Sequence, residues 1–202
     1  MLTRFLTAFA LAIGLAAPVS FSVTTQAQAE SGFASFIRGG QPRVRHGRYA
    51  SDKSPIPRET VRSDLPANTI LIDTSERRLY YGLGNGKALK YGVGVGREGF
   101  TWQGRHRITR KAEWPGWTPP KQMIAREARK GRKLPAYMEG GPNNPLGARA
   151  LYIGSTLYRI HGTNQPWTIG KAMSSGCIRM ANDDVVDLYS RVDVGTRVTV
   201  RH

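Results

Sequence analysis

Cys177 is the chain's one cysteine, and acids are scarce beside bases: 14 Asp and Glu against 30 Lys and Arg, a formal net charge of +16 over 202 residues. A single thiol excludes an internal disulfide framework; it leaves a small buried hydrophobe, half of an intermolecular bridge, or a reactive group. Zinc-finger spacing, internal repeats and a glycine-rich phosphate loop opening a helix are all missing, and no nucleic-acid module is recognisable. Long hydrophobic runs are missing too. The longest, Phe5 to Ala17, falls short of the roughly 20 residues that cross a bilayer.

What is present begins with that run. Arg4 precedes it, Pro18 stops it, and Ala27-Gln28-Ala29 offers a small-x-small cleavage site, so residues 1–29 read as a signal peptide with the mature chain starting near Glu30. No cysteine follows the run, which excludes a lipid-modified N-terminus. The expected compartment is oxidising, the periplasm in a Gram-negative bacterium. There the basic excess points to a polyanion such as cell-wall polymer, the carboxylates of peptidoglycan stem peptides or an anionic outer-membrane surface, and not to nucleic acid. Residues 30–64, with Gly39-Gly40, Arg43, Arg45, Arg48, Pro55 and Pro57, read as a basic, disordered linker. Residues 65–202 suffice for one domain with its own core.

That domain is expected to be mainly β. Strands are predicted at 69–73, 78–81, 88–95, 104–109, 150–153, 158–161 and 197–200, with Gly84-Asn85-Gly86 turning a hairpin. One short helix is predicted at 121–130. A second is predicted at 183–192, capped by Asn182, with Val185, Val186, Leu188, Tyr189 and Val192 inward.

The chemistry centres on Ser174-Ser175-Gly176-Cys177-Ile178-Arg179-Met180. A thiol attacks as thiolate and needs a base, cation or backbone dipoles nearby. Ser174, Ser175 and Gly176 are small enough for a tight turn whose N–H groups converge on one point, and a side chain at position 176 would obstruct a carbonyl substrate. His161 ends a predicted strand where the loop to Cys177 departs. It is either the base for that thiol or a structural hydrogen-bonder. His46 in the linker, His106 between Arg105 and Arg107, and the terminal His202 are poorer choices. Arg179 either binds a substrate carboxylate or holds the nucleophile loop through carbonyls. Trp167 and Tyr137 line a cleft or pack, and Asn144 places substrate or makes the turn before Pro145.

Taken in order, His161-Gly162-Thr163-Asn164, Ile169-Gly170, Ser174 to Met180, Asp187-Leu188-Tyr189 and Val194-Gly195-Thr196 resemble the signature of the L,D-transpeptidase catalytic domain of bacterial cell-wall enzymes. Gly140-Gly141-Pro142, Asn144 to Gly147 and Ala150-Leu151-Tyr152 resemble the segment before that signature, and 70–96 its opening strands. The resemblance implies a β-sandwich-like domain with one or two short helices, free of metal and cofactor. It implies Cys177 as nucleophile, His161 as general base oriented by the Gly162 carbonyl, and the Ser175, Gly176 and Cys177 amides as an oxyanion hole. The implied donor is a peptidoglycan tetrapeptide attacked at its third residue, meso-diaminopimelate, with release of D-alanine. The acceptor stays open among a second diaminopimelate amine, an outer-membrane protein and water, and a wall-binding module without activity is the non-enzymatic alternative. Two departures stand out: Ser175 occupies a position that is often a second histidine, and Thr101-Trp102-Gln103-Gly104 replaces a Thr-Pro-x-Gly pattern. Trp102, Trp114 and Trp117 are therefore expected to shape a cleft wall.

Overall fold

The computed structural model describes residues 53–202; the expected signal peptide and most of the expected linker lie outside them. The described chain runs β1 (Glu59–Arg62), β2 (Thr69–Asp73), β3 (Arg78–Gly84), β4 (Lys87–Gly92), β5 (Val95–Gly96), β6 (Gly104–Glu113), α1 (Lys121–Ala128) and β7 (Arg149–Ile153). It continues with β8 (Arg159–His161), a 3-10 turn (Pro166–Thr168), β9 (Ala172–Ser174), β10 (Ile178–Arg179), α2 (Asn182–Arg191) and β11 (Arg197–Arg201). The mainly β expectation with two short helices holds.

Nine strands form one sheet in the order β1-β4-β3-β2-β11-β6-β7-β8-β10, and β5 pairs with β9 in a second ladder. The long β6 joins two halves: Gly104 to Arg107 pair with β11, whereas Ile108 to Glu113 pair with β7 across a register shift at Ile108/Arg110. Such an irregularity bends a strand, and the bend lets the halves face one another as in a sandwich. Between them lie Ile70, Ile72, Leu79, Tyr91, Val93, Ile108, Leu151, Ile153, Ile160, Ile178, Met180, Leu188 and Val198, all essentially excluded from solvent.

The β3–β4 hairpin turns through Gly84, Asn85 and Gly86, each at positive φ (75°, 53° and 70°), a conformation these residue types adopt at least cost. Three expectations need correction. Glu59–Arg62, read as linker, is a strand paired antiparallel with β4; its sequence lacks an apolar face because a strand on the sheet edge buries little. Asn182 is the first residue of α2 and not its cap: the helix starts after Ala181, and Asn182 Oδ1 accepts the Ala148 N–H at 3.0 Å. Val186, expected inward, is exposed, while Val185, Leu188 and Val192 are buried. α1 buries none of its residues.

Candidate active site

β8 and β10 run parallel, with Ile160 opposite Ile178 and His161 opposite Arg179. Cys177 lies in the turn just before β10, two residues from Arg179, and near enough for the Arg179 guanidinium and the thiol to interact electrostatically. Ile160 and Ile178 turn the other way and are fully buried, which anchors both strands from beneath. A Cys-x-Arg run beside a strand ending in His thus brings thiol, imidazole and guanidinium to one corner of the sheet.

His161 is buried, and its Nδ1 lies 2.6 Å from the Gly162 carbonyl oxygen. A carbonyl only accepts, so the proton sits on Nδ1 and Nε2 keeps a lone pair. Burial pulls the imidazole pKa from 6.5 down to about 3, with the Arg179 charge adding to the effect and the Gly162 and Leu146 carbonyls opposing it. At neutral pH the ring is therefore uncharged and able to accept a proton. Gly162 has no room for a side chain, since a Cβ would come 2.3 Å from Asn182 Oδ1.

Cys177 is half-exposed, its sulfur 3.9 Å from the Leu157 carbonyl. The turn that presents it is closed by Ser174, whose buried hydroxyl donates to the Cys177 carbonyl at 2.6 Å and accepts the Gly176 N–H at 3.1 Å. Sequence reasoning valued Ser174 only for its size; the Ser-x-x-Cys spacing, which suits a hydroxyl closing a turn, was the available signal. The Gly176 amide, expected in the oxyanion hole, is thereby engaged. The Ser175 and Cys177 amides take none of the turn and loop backbone hydrogen bonds among the described residues. Gly176 sits at φ +107°, and a Cβ there would strike the Tyr158 ring at 2.3 Å. Its need for glycine thus comes from packing beneath the turn and not from the substrate side.

Arg179 is fixed by two backbone hydrogen bonds with Gly94, at 2.8 and 2.9 Å, while its guanidinium makes no hydrogen bond to a loop carbonyl among the described residues. Burial lowers its pKa and the Cys177 charge opposes this. Of the two roles offered for Asn144, its hydrogen bonds support the turn: the buried amide donates toward the Pro115, Met138 and Glu139 carbonyls and Oδ1 accepts the Leu146 N–H, which commits the side chain to the 138–146 loop. Trp167, on the 3-10 turn, and Tyr137, resting on Gly116, are both more than half exposed. Trp102 packs against the core and reaches the turn that presents Cys177. Among the described residues no group of three or more His, Cys, Asp or Glu is arranged to hold a metal ion.

The model of the YkuD family, the L,D-transpeptidase catalytic domain, matches residues 67–200. The chain belongs to this family. The L,D-transpeptidase domain is 40% identical over 149 residues to the probable L,D-transpeptidase ErfK/SrfK of Escherichia coli, covering 72% of this chain and 47% of that protein. It spans about half the length of the first curated relatives it matches. A putative L,D-transpeptidase of Fuscovulum blasticum is 30% identical with 95% of each chain covered. Among solved structures, an L,D-transpeptidase from Mycobacterium smegmatis shares the L,D-transpeptidase fold at TM-score 0.51 and 17% identity, over 66% of this chain and 58% of that one.

Proposed function

We propose that the protein is a periplasmic L,D-transpeptidase that forms 3-3 cross-links in peptidoglycan. The observation that carries the reading is a buried, neutral imidazole registered against Arg179, two residues after Cys177, on adjacent parallel strands, with Nδ1 held by Gly162 so that the ring's lone pair lies on Nε2. The Cys177 thiol gives its proton to His161 Nε2 as sulfur adds to the carbonyl carbon of diaminopimelate. The amide C–N bond then breaks, and His161 returns the proton to departing D-alanine. An acceptor amine attacks the thioester, loses a proton to His161, and expels the thiolate. Arg179, whose guanidinium interacts electrostatically with both His161 and Cys177, is suited to a substrate carboxylate.

The surface supports a polyanionic polymer as substrate. Arg107 lies opposite Arg197 and Arg105 opposite Thr199 across β6–β11, and these four residues line a cavity of about 250 Å³ together with His106 and Val198. None of the three arginines is in an ion pair among the described residues. Directly opposed like charges destabilise a sheet unless an anion compensates them.

The test is to incubate purified sacculi with the enzyme, digest the glycan, and identify the fragments by mass spectrometry. Release of D-alanine with dimers joined through two diaminopimelate residues is expected, and Cys177→Ala should abolish both. Trimmed monomers alone would indicate hydrolysis, and stems joined to an added outer-membrane protein would indicate attachment. Sacculus binding without any release of D-alanine would overturn the enzymatic reading in favour of a wall-binding module.

A further inference from the structure

We propose that Trp102 is a positioning residue that sets the plane of the Gly176–Cys177 peptide group, so that the Cys177 N–H faces the oxyanion formed during acylation. The inference rests on the acyl-transfer reading above. Trp102 Nε1–H donates to the Gly176 carbonyl at 2.8 Å. The indole lies flat on Tyr158, centroids 4.5 Å apart and planes 7° from parallel, and His106 meets it edge-on at 5.5 Å. Tyr158 in turn occupies the space in which a side chain on Gly176 would stand.

Three physical facts make this arrangement consequential. A trans peptide is planar, so its C=O and N–H point in opposite directions. Holding the Gly176 oxygen against the indole therefore aims the Cys177 N–H away from Trp102, where no turn or loop backbone partner among the described residues takes it. Glycine at φ +107° is conformationally permissive, and rotation of the plane on its C-terminal side is cheap unless an outside group restrains it. Ser174 Oγ fixes the preceding peptide through the Gly176 N–H, and Trp102 fixes the following one. During addition the sulfur–carbon bond forms and the carbonyl π pair moves to oxygen, where a donor already in place stabilises it without reorganisation. The position belongs to the Thr101-Trp102-Gln103-Gly104 stretch, where the sequence departs from the family's Thr-Pro-x-Gly.

The experiment compares two reactions of the same thiol. Acylation by a carbapenem passes through an oxyanion, whereas alkylation by iodoacetamide displaces iodide and forms none. Trp102→Phe, which removes the donor, should slow carbapenem acylation about tenfold, the effect of losing one hydrogen bond, and leave alkylation within twofold of wild type. Should that variant fold poorly, benzothienylalanine at position 102 keeps the shape and stack while replacing N–H with sulfur; the same split is expected. Acylation unchanged, or acylation and alkylation slowed in parallel, would overturn the proposal. A wild-type protein that alkylates but never acylates would overturn the acyl-transfer reading itself, a different result.

Discussion

His161 carries two demands that pull against each other. As the proposed base it has to accept a proton, yet its burial and the neighbouring Arg179 disfavour the imidazolium. The resolution is that the charge exists only while a proton is in transit, and the Gly162 carbonyl stabilises it for that interval. A pH dependence follows. Because the folded-state pKa is lowered to about 3 from 6.5, the protonation of His161 should not curtail acylation at pH 6.5, and any limb it contributes falls well below that value. Stopped-flow acylation by a carbapenem across pH 4–8 checks this, and an inflexion at 6.5 in wild type that His161→Gln removes would refute it. The same depression makes the neutral ring's contribution to stability fully present above pH 6.5 and progressively lost as pH falls toward 3. Cys177 and His161 were legible in the sequence as candidates because reactive residue types are rare in this chain and stand in an ordered pattern. The turn role of Asn144 was one of the two the sequence offered, whereas the duty of Ser174 was not legible: a serine serves a turn, a substrate or mere compactness, and only the positions of the groups around it decide.

The elements that matter most are β8, β10 and α2. Parallel pairing of β8 with β10 fixes the register of His161 against Arg179, and the buried Ile160 and Ile178 keep that register from slipping by one residue. α2 packs its Val185 and Leu188 against the core and carries a buried carboxylate, Asp184, whose pKa burial pushes up to about 6 while Arg58 pulls the other way. Among the described residues its Oδ2 has no hydrogen-bond partner, and Oδ1 makes an ion-pair contact with Arg58 at 3.7 Å. For a carboxyl whose folded pKa exceeds its unfolded value of about 3.8, the destabilisation is absent below 3.8, grows between 3.8 and 6, and is full above 6. Asp184→Asn should accordingly stabilise the fold by about 1–3 kcal/mol at pH 7, with the gain vanishing near pH 3; urea titrations at both pH values measure it. Arg58 also contacts Asp187, which holds the Tyr91 hydroxyl and Arg191, so the segment before β1 is tied to α2. Composition hid this attachment. A short edge strand rich in charge looks like linker until its partner strand is known.

At the scale of the whole molecule, one bent sheet brings residues more than a hundred positions apart to common surfaces. β2 and β11, near opposite ends of the described chain, pair in parallel, and β6 spans both halves. Alternating apolar positions made most of the strands legible, but strand order and the bend in β6 depend on contacts between distant segments, which no local pattern states. The basic excess was legible in the composition, while its concentration at Arg105, Arg107 and Arg197 emerged only from the β6–β11 register. Replacing these three by glutamine should weaken salt-sensitive cosedimentation of the Cys177→Ala protein with sacculi severalfold; unchanged binding would remove this face from substrate capture. The central claim is that Cys177 forms a thioester with His161 as its base. Intact-mass spectrometry of the protein exposed to a carbapenem tests it most directly. The expected result is one covalent adduct on wild type, none on Cys177→Ala, and an adduct slowed at least a hundredfold on His161→Ala, in line with the roughly 10²–10⁴-fold contribution of a positioned base; wild-type protein that stays unmodified, or an adduct that persists without Cys177, would contradict it.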